Sequence, residues 1–232
     1  MEDKLDIKYL VKIQSHKEYQ DNLIKNGNIH ANCASYYSDL YIQNPMQGDN
    51  KECSLCISSG KINTLKPIFS TIAIEKKDII KKGNSCFIEL PLQTVKDFVD
   101  NKAYITIINY KNFIEQLNFY FKQENVSYIH EKVGYYTHIS KEFFRDHINN
   151  LEIFMFIKHK KYIQQKEYRF VFDDYCKEVF KNIKIDDMIV PERQRILPVD
   201  YYIGSIEDYS QTLQIDITNC DTNLLIKVKP NE

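Results

Sequence analysis

Residues 165–172 read Gln-Lys-Glu-Tyr-Arg-Phe-Val-Phe. In an extended chain, alternation puts Gln165, Glu167 and Arg169 on one face and Tyr168, Phe170 and Phe172 on the other. A carboxamide, a carboxylate and a guanidinium then point the same way, which is enough to hold a charged or polar ligand. The same alternation also describes the exposed polar face of an edge strand. A second polar pair, Ser70-Thr71, interrupts the apolar run Pro67 to Ile74. Its hydroxyls either face a ligand or bond to nearby backbone. A third constellation is His30-x-x-Cys33, followed after 19 residues by Cys53-x-x-Cys56. That spacing can hold a four-ligand zinc ion, although two Cys-x-x-Cys pairs would be a stronger signature. Otherwise these cysteines are small packing residues.

Other groups carry less. His138 and His147, near Arg145, offer acid/base chemistry or simply a wet helix surface. Lys158-His-Lys-Lys161 beside Tyr162 could touch a nucleic-acid phosphate, or be a solvated face. A metal-dependent nuclease would need clustered carboxylates, for which Asp173/Asp174 with Asp186/Asp187 are weak candidates. No Gly-x-Gly-x-x-Gly, P-loop, Gly-x-Ser-x-Gly or His-Glu-x-x-His occurs. With six glycines in 232 residues, a Gly-rich phosphate cradle is not expected.

The elements that must position these groups follow from periodicity. Residues 7–14 alternate as a strand. Ser15 with Glu18 has capping-box spacing, so a helix is expected from Ser15 to Asn26, stopped by Gly27. Asn28 to Tyr37 is extended, and 43–66 is a long irregular stretch. Strands are expected over 67–74, 86–90, 103–109, 126–136, 167–173, 183–190, 201–205, 211–217 and 224–228. Helices are expected over 91–101, 110–123 and 140–149, whereas 151–164 is ambiguous. Strands among a few helices indicate one α+β domain with a mainly antiparallel sheet.

Composition sets the outer limits. The 31 basic and 32 acidic residues leave a net charge of -1, which argues against a dedicated duplex-binding protein. Only four basic residues are arginines: Arg145, Arg169, Arg193 and Arg195. No apolar stretch is long enough to span a membrane and the start of the chain is charged, so a cytoplasmic protein with reduced cysteines is expected.

The order of the pieces resembles the AbiGi-type abortive-infection proteins of phage defence. These pieces are strand–helix–Asn-Gly–strand from Tyr9 to Tyr37, Gln47-Gly-Asp-Asn-Lys-Glu52, Pro-Ile-Phe-Ser-Thr, and Phe156-Ile-Lys-His-x-x-Tyr162-x-x-x-x-Glu167-Tyr-Arg169. The span from Lys158 to Arg169 is the most specific part. The layout is also similar to the ADP-ribosyltransferases, which implies a split antiparallel sheet with flanking helices and NAD as substrate. Under that resemblance Glu167 is catalytic, Gln165 and Arg169 orient the acceptor, and Lys12, Gln14, Tyr36, Tyr37, Ser70 and Thr71 bind NAD. The first strand departs from the pattern, offering Lys12 where an Arg or His stands in those enzymes. The chemistry is coherent, because nicotinamide leaves as a neutral group from an already cationic bond and one carboxylate can steady the oxocarbenium-like centre. The acceptor would be RNA, DNA or protein. A cognate antitoxin or toxin partner is implied, and so is a second reading in which the same fold carries a dead site. A third reading, without enzyme chemistry on NAD, is single-strand binding through the lysines and tyrosines.

Overall fold

The computed structural model describes residues 6–36, 65–138, 141–147, 151–185 and 188–229. Strand β1 (Ile7–Gln14) leads into α1 (Lys17–Asn26), and Gly27 turns the chain into β2 (Asn28–Cys33). Next described are β3 (Pro67–Glu75), the hairpin pair β4 (Ile79–Lys82) and β5 (Ser85–Leu90), α2 (Leu92–Phe98), β6 (Lys102–Asn109) and α3 (Tyr110–Glu124). Then come β7 (Tyr128–Lys132), β8 (Gly134–Tyr136), α4 (Lys141–His147), β9 (Ile157–His159) between two 3-10 turns, and β10 (Glu167–Phe172). The chain continues with β11 (Lys177–Ile185), β12 (Met188–Leu197), β13 (Val199–Tyr202), β14 (Ser210–Asp216) and β15 (Leu224–Val228). This is an α+β arrangement. Apart from the parallel β8–β9 pair, the described ladders are antiparallel.

The main sheet is centred on β3. On one side β3 pairs with β10, which in turn pairs with β7. On its other side β3 has two neighbours in succession. Its later residues pair with β1, from Ile72 opposite Val11 to Glu75 opposite Ile7, and its first residues pair with β2, Ile68 opposite Asn32 and Pro67 opposite Cys33. Phe69, Ser70 and Thr71 therefore have no strand partner on that side, and the sheet is split there between β1 and β2. Helix α1 bridges the two strands that diverge.

Packing on both faces holds the split open. One face carries Leu10, Ala31, Phe69, Phe170 and Phe172 against Leu23 of α1 and Phe113, Leu117 and Phe121 of α3. The other face buries Val11, Ile72 and Ile107 under Val95 of α2 and under β5 and β15 through Ile88 and Ile226. A satellite cluster seats Phe154, Met155 and Phe156 on Ile68 and Val171. Each face is apolar at alternate positions, so a one-residue slip of β3 would reverse both layers.

Several expectations change. Ser15 does not cap α1: the helix starts at Lys17, and His16 at the N-cap makes no side-chain cap bond. Gly27 does end it, in the left-handed region at φ 59. Of the strand expected over 183–190, residues 183–185 end β11 and residues 188–190 begin β12, and the two pair antiparallel. The strand expected over 126–136 breaks at Val133 into β7 and β8, because the Val133 N–H donates to the Glu167 carbonyl. Strand β10 is an inner strand with all six residues buried, which removes the edge-strand reading of residues 165–169. Among the described residues no helix is long and apolar enough to cross a membrane.

Candidate functional site

The split in the sheet opens into a cavity of about 570 Å³. Its walls come from β1, β2, β3, β10 and β13, and Lys12, Gln14, Tyr36, Ser70, Thr71, Gln165, Glu167 and Arg169 all line it. Residues from four separate parts of the sequence thus meet in one place. Tyr37 lies outside the described residues.

Glu167 is fixed before its side chain is considered. Its N–H donates to Tyr135 Oη at 2.9 Å, and its carbonyl accepts from Val133 at 2.9 Å. The preceding residue, Lys166, adopts φ 43 and ends the 3-10 turn Lys160–Gln165. Left-handed backbone is unusual for a residue with a Cβ. Here it reverses the chain so that Gln165 and Glu167 both meet Lys158. Lys158 Nζ donates to Gln165 Oε1 at 3.1 Å and to Glu167 Oε2 at 3.0 Å.

The Glu167 carboxylate is fully engaged. Oε1 accepts from Ser70 Oγ at 2.6 Å and Arg169 Nε at 2.7 Å, and Oε2 accepts from Arg169 Nη2 at 3.3 Å as well as from Lys158. Arg169 is 1% exposed, and its Nη1 donates to the Met155 carbonyl at 2.6 Å. Burial pushes the Glu167 carboxyl up, but the nearby Arg169 and Lys158 charges and the hydrogen bonds from Arg169 and Ser70 outweigh it. The net effect holds Glu167 well below the usual carboxylate range. Glu167 is therefore a fixed anion at working pH.

Lys12 fills the gap in the ladder. Its Nζ donates to the unpaired Ser70 carbonyl at 2.8 Å and lies 4.5 Å from the centre of the Phe69 ring. Burial pushes its ammonium down to about 8, and the Glu167 charge opposes the shift. Lys12, Lys158 and Arg169 against one carboxylate make the floor of the cavity cationic when Lys12 is protonated. Two buried acceptors at the cavity, Gln14 Oε1 and Asn28 Oδ1, have no donor among the described residues. Such atoms are costly unless something donates to them. Tyr19, Tyr36 and Tyr202 add ring surface to the lining.

The expected site residues divide in use. Ser70 spends its hydroxyl on Glu167, whereas Thr71 Oγ1 donates to the Tyr168 carbonyl at 3.3 Å and so supports the strand pairing. Arg169 donates to Glu167 and to the Met155 carbonyl, so in this arrangement it holds the carboxylate in place. Lys158 is the residue that sequence reasoning missed. The basic run 158–161 splits: Lys158 is buried at the carboxylate while Lys160 and Lys161 are exposed. The signal was its place on an apolar run, Phe154 to Ile157, which carries it inward.

Of the histidine–cysteine spacing, only His30 and Cys33 lie among the described residues, and they do not share a face. His30 and Cys33 are three apart on strand β2, so they face opposite sides. His30 lines the cavity, and Cys33 is buried with Cys176 and Ile196. Cys53 and Cys56 lie outside the described residues. Among the described residues, no group of three or more His, Cys, Asp or Glu could hold a metal ion. His138 and Arg145 are exposed and apart from the cavity.

What the arrangement can do is bind an anionic ligand and place one permanently charged carboxylate against it, in a cavity with donors, unpaired acceptors and aromatic surface. Comparison with known proteins finds no matching family model, no matching curated protein and no matching solved structure.

Proposed function

We propose that this protein binds NAD in the split of its sheet and transfers ADP-ribose to a nucleic-acid or protein acceptor. The observation that carries this reading is the convergence of Lys12, Ser70, Gln165 and Glu167 on one cavity at the gap between β1 and β2. Lys12 and Lys158 supply charge for a pyrophosphate. The tyrosines supply faces for the rings, and Gln14 and Asn28 accept from amide or hydroxyl donors. Glu167 stays ionised beside the ribose carbon and stabilises the developing cation. Its four donors set a condition: a ribose hydroxyl reaches Oε2 only when Lys158 swings from the carboxylate to the phosphates. The resemblance to abortive-infection proteins supports reading such an activity as one of phage defence in the cytoplasm.

The test is calorimetric titration with NAD, followed by incubation with labelled NAD and total RNA, DNA or protein. Glu167→Ala would leave Arg169 and Lys158 as uncompensated buried charges, a loss of about 3–5 kcal/mol. Glu167→Gln removes the same charge but keeps an oxygen that accepts a hydrogen bond, so it and Ser70→Ala, each checked by thermal melting, are the informative variants. Wild type is expected to bind NAD and transfer label. Glu167→Gln is expected to bind it and transfer at least 10²-fold more slowly, in line with loss of one electrostatic stabiliser. Absence of NAD binding by folded wild type would remove the reading.

A further inference from the structure

The part of the cavity wall formed by β2 and β13 carries a second chemical unit. Strand β2 alternates, with Ile29, Ala31 and Cys33 buried in the core and Asn28, His30 and Asn32 facing the cavity. Its neighbour β13 pairs Asp200 directly opposite His30 and Tyr202 opposite Asn28. His30 Nδ1 lies 2.8 Å from Asp200 Oδ1, and both residues line the same cavity as Glu167. With Nδ1–H donating to the carboxylate, Nε2 is left with a lone pair, the tautomer a general base needs. The pair is not a stability device. Its side chains are 56% and 37% exposed, and ion pairs of that kind add little to folding. Glu167 is unsuited to this role, because Ser70 and Arg169 occupy Oε1, and Oε2, once Lys158 swings away, is taken by the ribose hydroxyl.

We propose that His30, oriented by Asp200, is the general base that deprotonates the nucleophile attacking the ribosyl carbon. The inference rests on the ADP-ribosyl reading and adds the acceptor class to it: a neutral O–H or N–H group, such as a hydroxyl, a base amine or water, that keeps its proton until the transition state. In the step, the ribosyl C1′–N bond breaks and its electron pair leaves on nicotinamide. The nucleophile's lone pair forms the new C1′–O or C1′–N bond. Its proton passes to His30 Nε2, giving an imidazolium held by Asp200, and then to solvent. Glu167 faces the developing cation throughout and exchanges no proton. Asp200 acts through His30 and is a positioning residue.

The experiment follows nicotinamide release from NAD in water, with and without sodium azide, for wild type, His30→Gln and Asp200→Asn. Azide is a nucleophile with no proton to lose, so it bypasses a missing base. His30→Gln is expected to melt like wild type and to release nicotinamide roughly 10²-fold more slowly, at the low end of what a positioned base contributes. Azide restores that rate, with ADP-ribosyl azide as the product seen by mass. Asp200→Asn falls on the same path by a smaller factor, because the tautomer is disturbed while the ring remains. A His30→Gln enzyme as fast as wild type overturns the assignment and leaves the ADP-ribosyl reading standing. A slow variant that azide does not restore also overturns it, because His30 would then act in binding. Wild type that binds no NAD and releases no nicotinamide overturns the ADP-ribosyl reading, and the base falls with it.

Discussion

At the scale of single residues, the site is governed by charges that cannot be solvated. Lys12 is the case where this is measurable. An unfolded lysine keeps its proton to about 10.4, whereas burial brings the folded one to about 8. Between those values the unfolded chain binds more protons, so this group makes stability rise with pH. Below about 8 the fold carries a desolvated ammonium, only partly relieved by Glu167 and the Ser70 carbonyl. Lys12→Met removes both features. The variant is expected to be more stable than wild type at pH 7 by on the order of 1 kcal/mol, with the gap closing as pH rises to 10. Urea unfolding of both proteins across that range measures it, and a pH-independent difference would mean that the ammonium is solvated. The stabilised variant should also lose NAD binding, since a residue kept against stability is a functional one. None of this was visible in Tyr9-Leu-Val-Lys-Ile, which reads as an ordinary strand. The meaning of Lys12 comes from a gap in a neighbouring strand's pairing, 58 residues away in sequence.

At the scale of elements, the cleft depends on how α1 hands the chain to β2. Gly27 was legible, because a helix-ending Asn-Gly is a direct signal for left-handed backbone. Its second role was not legible. A Cβ on Gly27 would meet the Gly204 carbonyl oxygen at 2.0 Å and Ile203 Cγ1 at 2.7 Å. Those atoms belong to the turn after β13, whose Ile203 and Gly204 N–H groups donate to the Gly27 and Asn26 carbonyls, each at 3.2 Å. Gly27→Ala therefore combines left-handed strain of about 1–2 kcal/mol with a backbone clash. We expect a loss near 3 kcal/mol, which lowers the melting temperature by roughly 6–12 °C. Gly83→Ala is the control, since Gly83 has φ 57 with nothing near its missing Cβ. It should show the strain alone, so equal losses in the two variants would refute the packing argument. The expected Ser15 cap failed for a related reason: a capping box specifies a local bond, and the chain entering α1 is held instead by β1 and its partners.

At the scale of the whole molecule, sequence patterning disclosed an α+β chain and most strands, because alternation and turn residues act locally. The split in the sheet was not disclosed by pattern, because it depends on which part of β3 each neighbour pairs with. Charge shows the same division. The chain as a whole is nearly neutral at -1, yet Lys12, Lys158 and Arg169 gather around the Glu167 carboxylate in one cavity, with Asp200 as its other carboxylate. A nearly neutral molecule exerts no long-range pull on a polyanion, so anion binding should be local and saturable. Inorganic pyrophosphate is then expected to raise the melting temperature along a binding curve. At 100 times its dissociation constant the gain is about 2.7 kcal/mol, equal to roughly 5–11 °C for a chain of this size. Lys158→Met should shift that curve to much higher pyrophosphate, although Lys158 is only one cation among many in the sequence. A single-strand nucleic-acid binder on the exposed lysines would behave differently. It would ignore pyrophosphate, bind oligonucleotides with an affinity falling steeply as salt rises, and be indifferent to Lys158→Met, because Lys158 is buried at Glu167. Thermal shift with pyrophosphate and a salt titration with a labelled oligonucleotide, run on the same two proteins, separate a cleft that holds one diphosphate from a surface that holds a strand.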